Sequence, residues 1–177
     1  MKKLIYVLGV LLSGYGIYLS SFSVLHGELN FFSDVARDFL LLQELDQKKI
    51  VLIGPRTNTT GLFDGPFWTY LNYPAYLIGH GNPVIVAWFW VILGVIFIIS
   101  SFYFVKRLFG IWPAFAFVLL MSVRFVPHIN GVFHAEANIF FMPVFLYTII
   151  EYLKTKKVGY LISTLLPVVF SSNSISV

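Results

Sequence analysis

The sequence predicts an all-α polytopic membrane protein with about five transmembrane helices and a long first outer loop carrying surface-lying helices. Three observations lead there. The 177 residues are 58% hydrophobic and only 11% charged, whereas a soluble domain carries about 25% charged residues and needs them to cover its surface. The apolar residues fall in runs long enough to cross a hydrocarbon core of about 30 Å. Lysine and arginine gather in the short connections on one side of the resulting topology.

Taken in order, Met1-Lys2-Lys3 precedes an uncharged run from Leu4 to Leu25. A secretory leader also starts with basic residues. This run is long for a leader core and no A-x-A-like site closes it, so a retained first span over about 4–25 is expected. Residues 26–82 form the outer loop: 26–64 hold eleven titratable side chains, too many to span, and no charge occurs from Gly65 to Val105. The first part of that stretch, GPFWTYLNYPAYLIGHGNP, is rich in aromatic, Gly and Pro residues and reads as a segment at headgroup level. Further spans are expected over about 83–105, 108–126, 137–153 and 158–172, the last three short enough for tilt or re-entry.

Charge placement tests this order. With the N-terminus in the cytoplasm, the inner connections hold Lys2, Lys3, Lys106, Arg107, Lys154, Lys156 and Lys157 with a single acid, Glu151. The other seven acids and all four histidines fall outside. That is the asymmetry of the positive-inside rule in a cell membrane. The chain has no cysteine, which removes disulfide and thiolate chemistry. Its basic residues form no long run, and nothing points to nucleic acid.

The chemistry is expected in the outer loops. SDVARDFLLLQELDQKK has the pattern of a helix, with Ser33 able to cap its start and acids where the helix dipole favours them. At 100° per residue Asp34 and Asp38 share a face with Leu41 and Leu45, and Arg37 stands beside them. GPRTNTTGLFDGP follows as a loop, with Asp64 near its end and an N-glycosylation pattern at Asn58-Thr59-Thr60. Trp68, Tyr70, Tyr73 and Tyr76 are either an interfacial belt or a platform for sugar or lipid. The second outer loop, VPHINGVFHAEAN, brings His134, Glu136 and Asn138 to the start of the fourth span. Asp34 and Glu136 can therefore meet at one cavity, as a general base for a hydroxyl or as ligands for a divalent cation. His134-x-Glu136 lacks the i, i+4 spacing of helical metal ligands, so no metal is assigned. Arg37 reads first as an intrahelical partner of Asp34 or Asp38 and only second as a phosphate ligand.

The order of a first apolar helix, then DVARD, then GPRTNTTGLFDGPFWTYLNYPAYLIGHGNP, then a helix ending KRLFG resembles the N-terminal part of the GT-C membrane glycosyltransferases. The likeness covers about residues 1–155 and is nearest to the bacterial branch similar to dolichyl-phosphate-mannose protein mannosyltransferases. It implies a multi-pass enzyme that moves a sugar, with inversion, from a polyprenyl-phosphate carrier to a glycan, lipid or protein acceptor at the outer face. Asp34 falls on the family's base, and Arg37 and Asp38 lie near it. Glu136 matches a second-loop acid by location, and Asp64, Trp68, Tyr70 and Asn138 join the donor and acceptor candidates. Such enzymes run to several hundred residues, so the chain is expected to be the N-terminal part of a longer domain. The alternative is a non-catalytic membrane protein, an accessory or assembly partner in envelope-glycan synthesis. A transporter is disfavoured because the polar groups gather outside rather than at mid-bilayer.

Overall fold

The computed structural model describes residues 2–55, 62–125, 131–132, 138–163 and 175–176. Six helices carry it: α1 Lys2–Leu25, α2 Ser33–Lys48, α3 Phe67–Ile78, α4 Pro83–Phe109, α5 Ile111–Phe125 and α6 Asn138–Thr155. Residues 158–163 are also helical. Otherwise the regular structure among the described residues is one short antiparallel pairing of β1 (Leu62–Phe63) with β2 (Ile175–Ser176). Helices thus stand where four of the expected spans lie, and the fifth begins helically. α1, over Tyr6–Leu25, and α4 are long and apolar enough to cross a membrane, and α5 carries a shorter apolar segment.

Ring contacts give the helix directions. Tyr6 packs edge-on against Phe115, and further along Ser20 Oγ lies 3.2 Å from the Ser122 carbonyl. α1 and α5 therefore run the same way. Phe97 meets Phe140 and Phe104 stacks on Tyr147, so α4 and α6 also run together. α4 and α5 reverse at Gly110, whose φ of 92° is a conformation that side-chain-bearing residues rarely adopt. The starts of α1 and α5 and the ends of α4 and α6 consequently share one end of the bundle. Lys2, Lys3, Lys106, Arg107 and Lys154 lie on these helix ends.

Small residues make the α1–α5 contact close. A Cβ at Gly9 would fall on the Phe115 ring, and one at Gly16 would stand 2.6 Å from Ser122 Cβ. Packing through glycine and serine is a usual device where no hydrophobic driving force operates between helices.

α2 and α3 lie against the first half of α4. The segment expected at headgroup level is the helix α3, with Pro74 inside it. Asn72 reaches Trp90, and Gly79 abuts Ile85 across the turn. α3 therefore packs lengthwise and antiparallel on α4, with Trp68, Thr69, Asn72 and Ala75 buried. Asn82 caps α4, accepting from Val84 N–H at 2.9 Å, with Pro83 in the first turn. This Asn-Pro pair suits the start of a helix.

Two expectations about α2 are corrected. Phe32, not Ser33, is the capping residue, and no side chain bonds the cap. The buried face is Val35, Asp38, Phe39, Leu42 and Leu45, with Asp34 and Leu41 only half-buried at its border. The face is turned by about one residue because Val35, Phe39 and Leu42 supply the apolar surface that α3 and α4 cover. Asp38 is carried inward with them.

Candidate functional site

Asp34 sits in the first turn of α2, at the end of the bundle away from the basic helix ends. Its Oδ1 accepts from Arg37 Nη2 at 2.6 Å, and the two side chains are 37% and 38% exposed. The spacing of three residues places both on one helix surface, so the pair is set by local geometry. Arg37 Nε is buried and has no acceptor among the described residues. An unsatisfied buried donor costs about 1–3 kcal/mol, and more when charged.

Asp38 differs: it is 6% exposed. It lines a cavity with Phe39, Leu42, Trp68, Thr69, Asn72 and Trp90, of about 10 Å³. That is the margin for a single water. Asn72 organises the far wall, donating from Nδ2 to the Trp68 carbonyl and accepting from Trp90 Nε1, both at 2.8 Å. The sequence carries a signal for Asn72 alone, the polar residue one turn after Trp68 in an aromatic run. Its partner on α4 has none.

The remaining candidates are dispersed. Trp68 is buried and stacks on Phe140 of α6, so its faces are taken by protein. Tyr70 is exposed at one edge, and its hydroxyl accepts from Val51 N–H at 3.1 Å. Asp64 closes the loop neck through its backbone: Gly54 N–H donates to the Asp64 carbonyl and Asp64 N–H to the Pro55 carbonyl. A Cβ at Gly54 would meet the Asp64 carbonyl oxygen at 2.5 Å, so the neck requires glycine. Asn58, His134 and Glu136 lie outside the described residues, and Asn138 is the first residue of α6. Gly131, between α5 and α6, still reaches the segment that leads into α2. A Cβ at Gly131 would stand 2.8 Å from the Asn30 carbonyl and 3.1 Å from the Phe32 ring, a few residues before Asp34. Among the described residues no group of three or more metal-ligating side chains forms.

A second polar cluster joins the far end of α2 to α3. Asp46 Oδ1 accepts from Lys49 Nζ at 3.1 Å and from the Tyr73 hydroxyl at 3.0 Å. The lysine and then the tyrosine hold the Asp46 carboxyl below the usual carboxylate range. Lys49 is raised by the same carboxylate, and Tyr73 is raised by burial and then by Asp46.

Compared with protein-family models, curated proteins and solved structures, the chain matches none.

Proposed function

We propose that the chain is a multi-pass membrane protein acting in sugar transfer from a polyprenyl-phosphate donor at the outer face, with Asp34 as general base. The membrane half of this reading draws on exposed apolar surface. Val10, Leu11, Ile96 and Ile99 are more than half exposed on the long helices, which is costly in water and ordinary in lipid. Seven of the twelve lysines and arginines gather at one end of the helices, and that end is cytoplasmic by the positive-inside rule.

The observation that carries the chemical half is the Asp34–Arg37 pair. It is a half-exposed carboxylate and guanidinium at the opposite end, with a buried Nε that lacks an acceptor among the described residues. A donor phosphate supplies such an acceptor. As Arg37 turns to the phosphate, the Asp34 oxygen it held is released. Asp34 then takes the proton of an acceptor hydroxyl while that oxygen attacks the anomeric carbon and the bond to phosphate breaks with inversion. Arg37 balances charge on the departing phosphate. A divalent cation at the same carboxylate is compatible with this chemistry and is not required by it.

The accessory reading also has an observation in its favour. The cavity beside Asp38, about 10 Å³, is far too small for a sugar, and Trp68 is closed off. One experiment separates the two. Membranes expressing the protein from its native gene are given labelled polyprenyl-phosphate sugar, and binding and transfer are measured for the wild type and Asp34→Asn. Loss of a general base lowers transfer by about 100-fold or more with insertion unchanged. Equal transfer by the variant rejects Asp34 as base, and donor binding without transfer by either protein favours the accessory role.

A further inference from the structure

The cations at the basic end are arranged for more than orientation. Lys106 and Arg107 close α4, Lys154 closes α6, and Lys156 and Lys157 follow it; all five are exposed. Among the described residues at this end one carboxylate stands against them, Glu151, mostly buried and 3.8 Å from Lys154 Nζ. Five cations with one acid leave four charges unbalanced. Three of the five rest over aromatic rings: Lys106 over Phe102 at 5.9 Å, Arg107 over Tyr147 at 5.4 Å and Lys156 over Tyr152 at 5.8 Å. A ring face fixes a cation without neutralising it; the Arg107 guanidinium also meets the Tyr103 hydroxyl, and of its five N–H donors others remain for a phosphate.

The same end exposes large apolar side chains: Phe109, Trp112, Leu153 and Val158 are each 59–65% exposed. A soluble anion meets the cations and leaves these in water. A ligand with a phosphate head and hydrocarbon tails meets both.

We infer that this end of α4 and α6 binds anionic phospholipid, its phosphate against Arg107 and Lys106 with Lys156 and Lys157 at the rim, and its acyl chains along Phe109, Trp112 and Leu153. The inference rests on the membrane half of the proposed function and is independent of sugar transfer. Each cation near an anionic headgroup contributes roughly a fivefold preference, and the preference declines with salt.

The test uses the whole purified protein, delipidated in neutral detergent and titrated with phosphatidylglycerol or phosphatidylcholine, bound lipid being counted by native mass spectrometry. Phosphatidylglycerol is expected to bind at least tenfold more tightly. Lys106→Gln/Arg107→Gln should remove most of that preference. Lys156→Gln/Lys157→Gln, which lies beyond the helix and tests the same face if the first pair fails to fold, should reduce it several-fold. Lys48→Gln/Lys49→Gln, at the far end of the fold, should leave it unchanged. Equal binding of the two lipids, an unaltered preference in both basic-end variants, or full displacement by equimolar inorganic phosphate would each overturn the inference. Binding of neither lipid, by a protein that stays soluble without detergent, would instead refute the membrane reading beneath it.

Discussion

Gly16→Ala is expected to loosen the bundle where α1 meets α5. The added Cβ would stand 2.6 Å from Ser122 Cβ, an atom fixed to the α5 backbone and unable to swing aside. An ordinary carbon contact of about 3.8 Å requires the helices to part by about 1.2 Å. Overpacking of this kind costs about 1–3 kcal/mol. The separation also removes the approach of Ser20 Oγ to the Ser122 carbonyl, a further 0.5–1.5 kcal/mol or so. Alanine gains about 1 kcal/mol of helix propensity over glycine, which would mask part of the effect. Gly14→Ala supplies the reference: its Cβ meets nothing within 4 Å, so it collects the propensity gain alone. The difference between the two variants should therefore be about 1.5–4.5 kcal/mol, Gly16→Ala being the weaker. Unfolding in mixed micelles titrated with sodium dodecyl sulfate and followed by circular dichroism measures it. Equal stability of the two variants would refute the close α1–α5 contact.

Two further outcomes follow from α2 and α3. Asn72→Leu leaves the buried Trp90 indole N–H without its acceptor and should cost about 1–3 kcal/mol; Asn72→Leu with Trp90→Phe should recover part of it, and strict additivity of the two losses by the same unfolding assay would count against the pair. Acidification should weaken the docking of α2 on α3. Because the Asp46 carboxyl is held below its unfolded value, its contribution is fully present above the ordinary carboxylate range and is lost as pH falls through the lowered value. Lys49 and Tyr73 are raised, so their contributions persist through neutrality and fade at alkaline pH. Tyr73→Phe should flatten the acid limb of a pH–stability curve, and an unchanged acid limb would contradict this role.

Much of the helix order was legible because uncharged runs are a strong signal and glycine, proline and paired cations punctuate them. The ends of α4 show why: Asn82-Pro83 begins it, and Lys106, Arg107 and Gly110 end it. α3 is less legible as a helix: its aromatic, Gly and Pro content marks only a surface-lying segment at headgroup level, and Pro74 stands inside it. Proline costs an isolated helix its propensity, and packing on α2 and α4 overrides that. The α2 face was misjudged by a one-residue turn for a related reason. Helical periodicity groups Asp34 and Asp38 with Leu41 and Leu45, whereas the burial of Val35, Phe39 and Leu42 sets the rotation and separates the two acids into a half-open and a closed environment. The Asp34–Arg37 pair follows from i, i+3 spacing. The Asn72–Trp90 bond and the stacking of Arg107 on Tyr147 join helices distant in sequence, and no local pattern announces such pairings.

The central claim is that Asp34 and the basic helix ends lie on opposite sides of a bilayer. The chain has no cysteine, so Ser33→Cys and Lys154→Cys each place a single thiol at an exposed position. Labelling with a membrane-impermeant maleimide in intact cells and again in inverted vesicles tests the claim directly. Position 33 should react only from outside and position 154 only from the cytoplasmic face. Reaction of both from the same side would contradict the account.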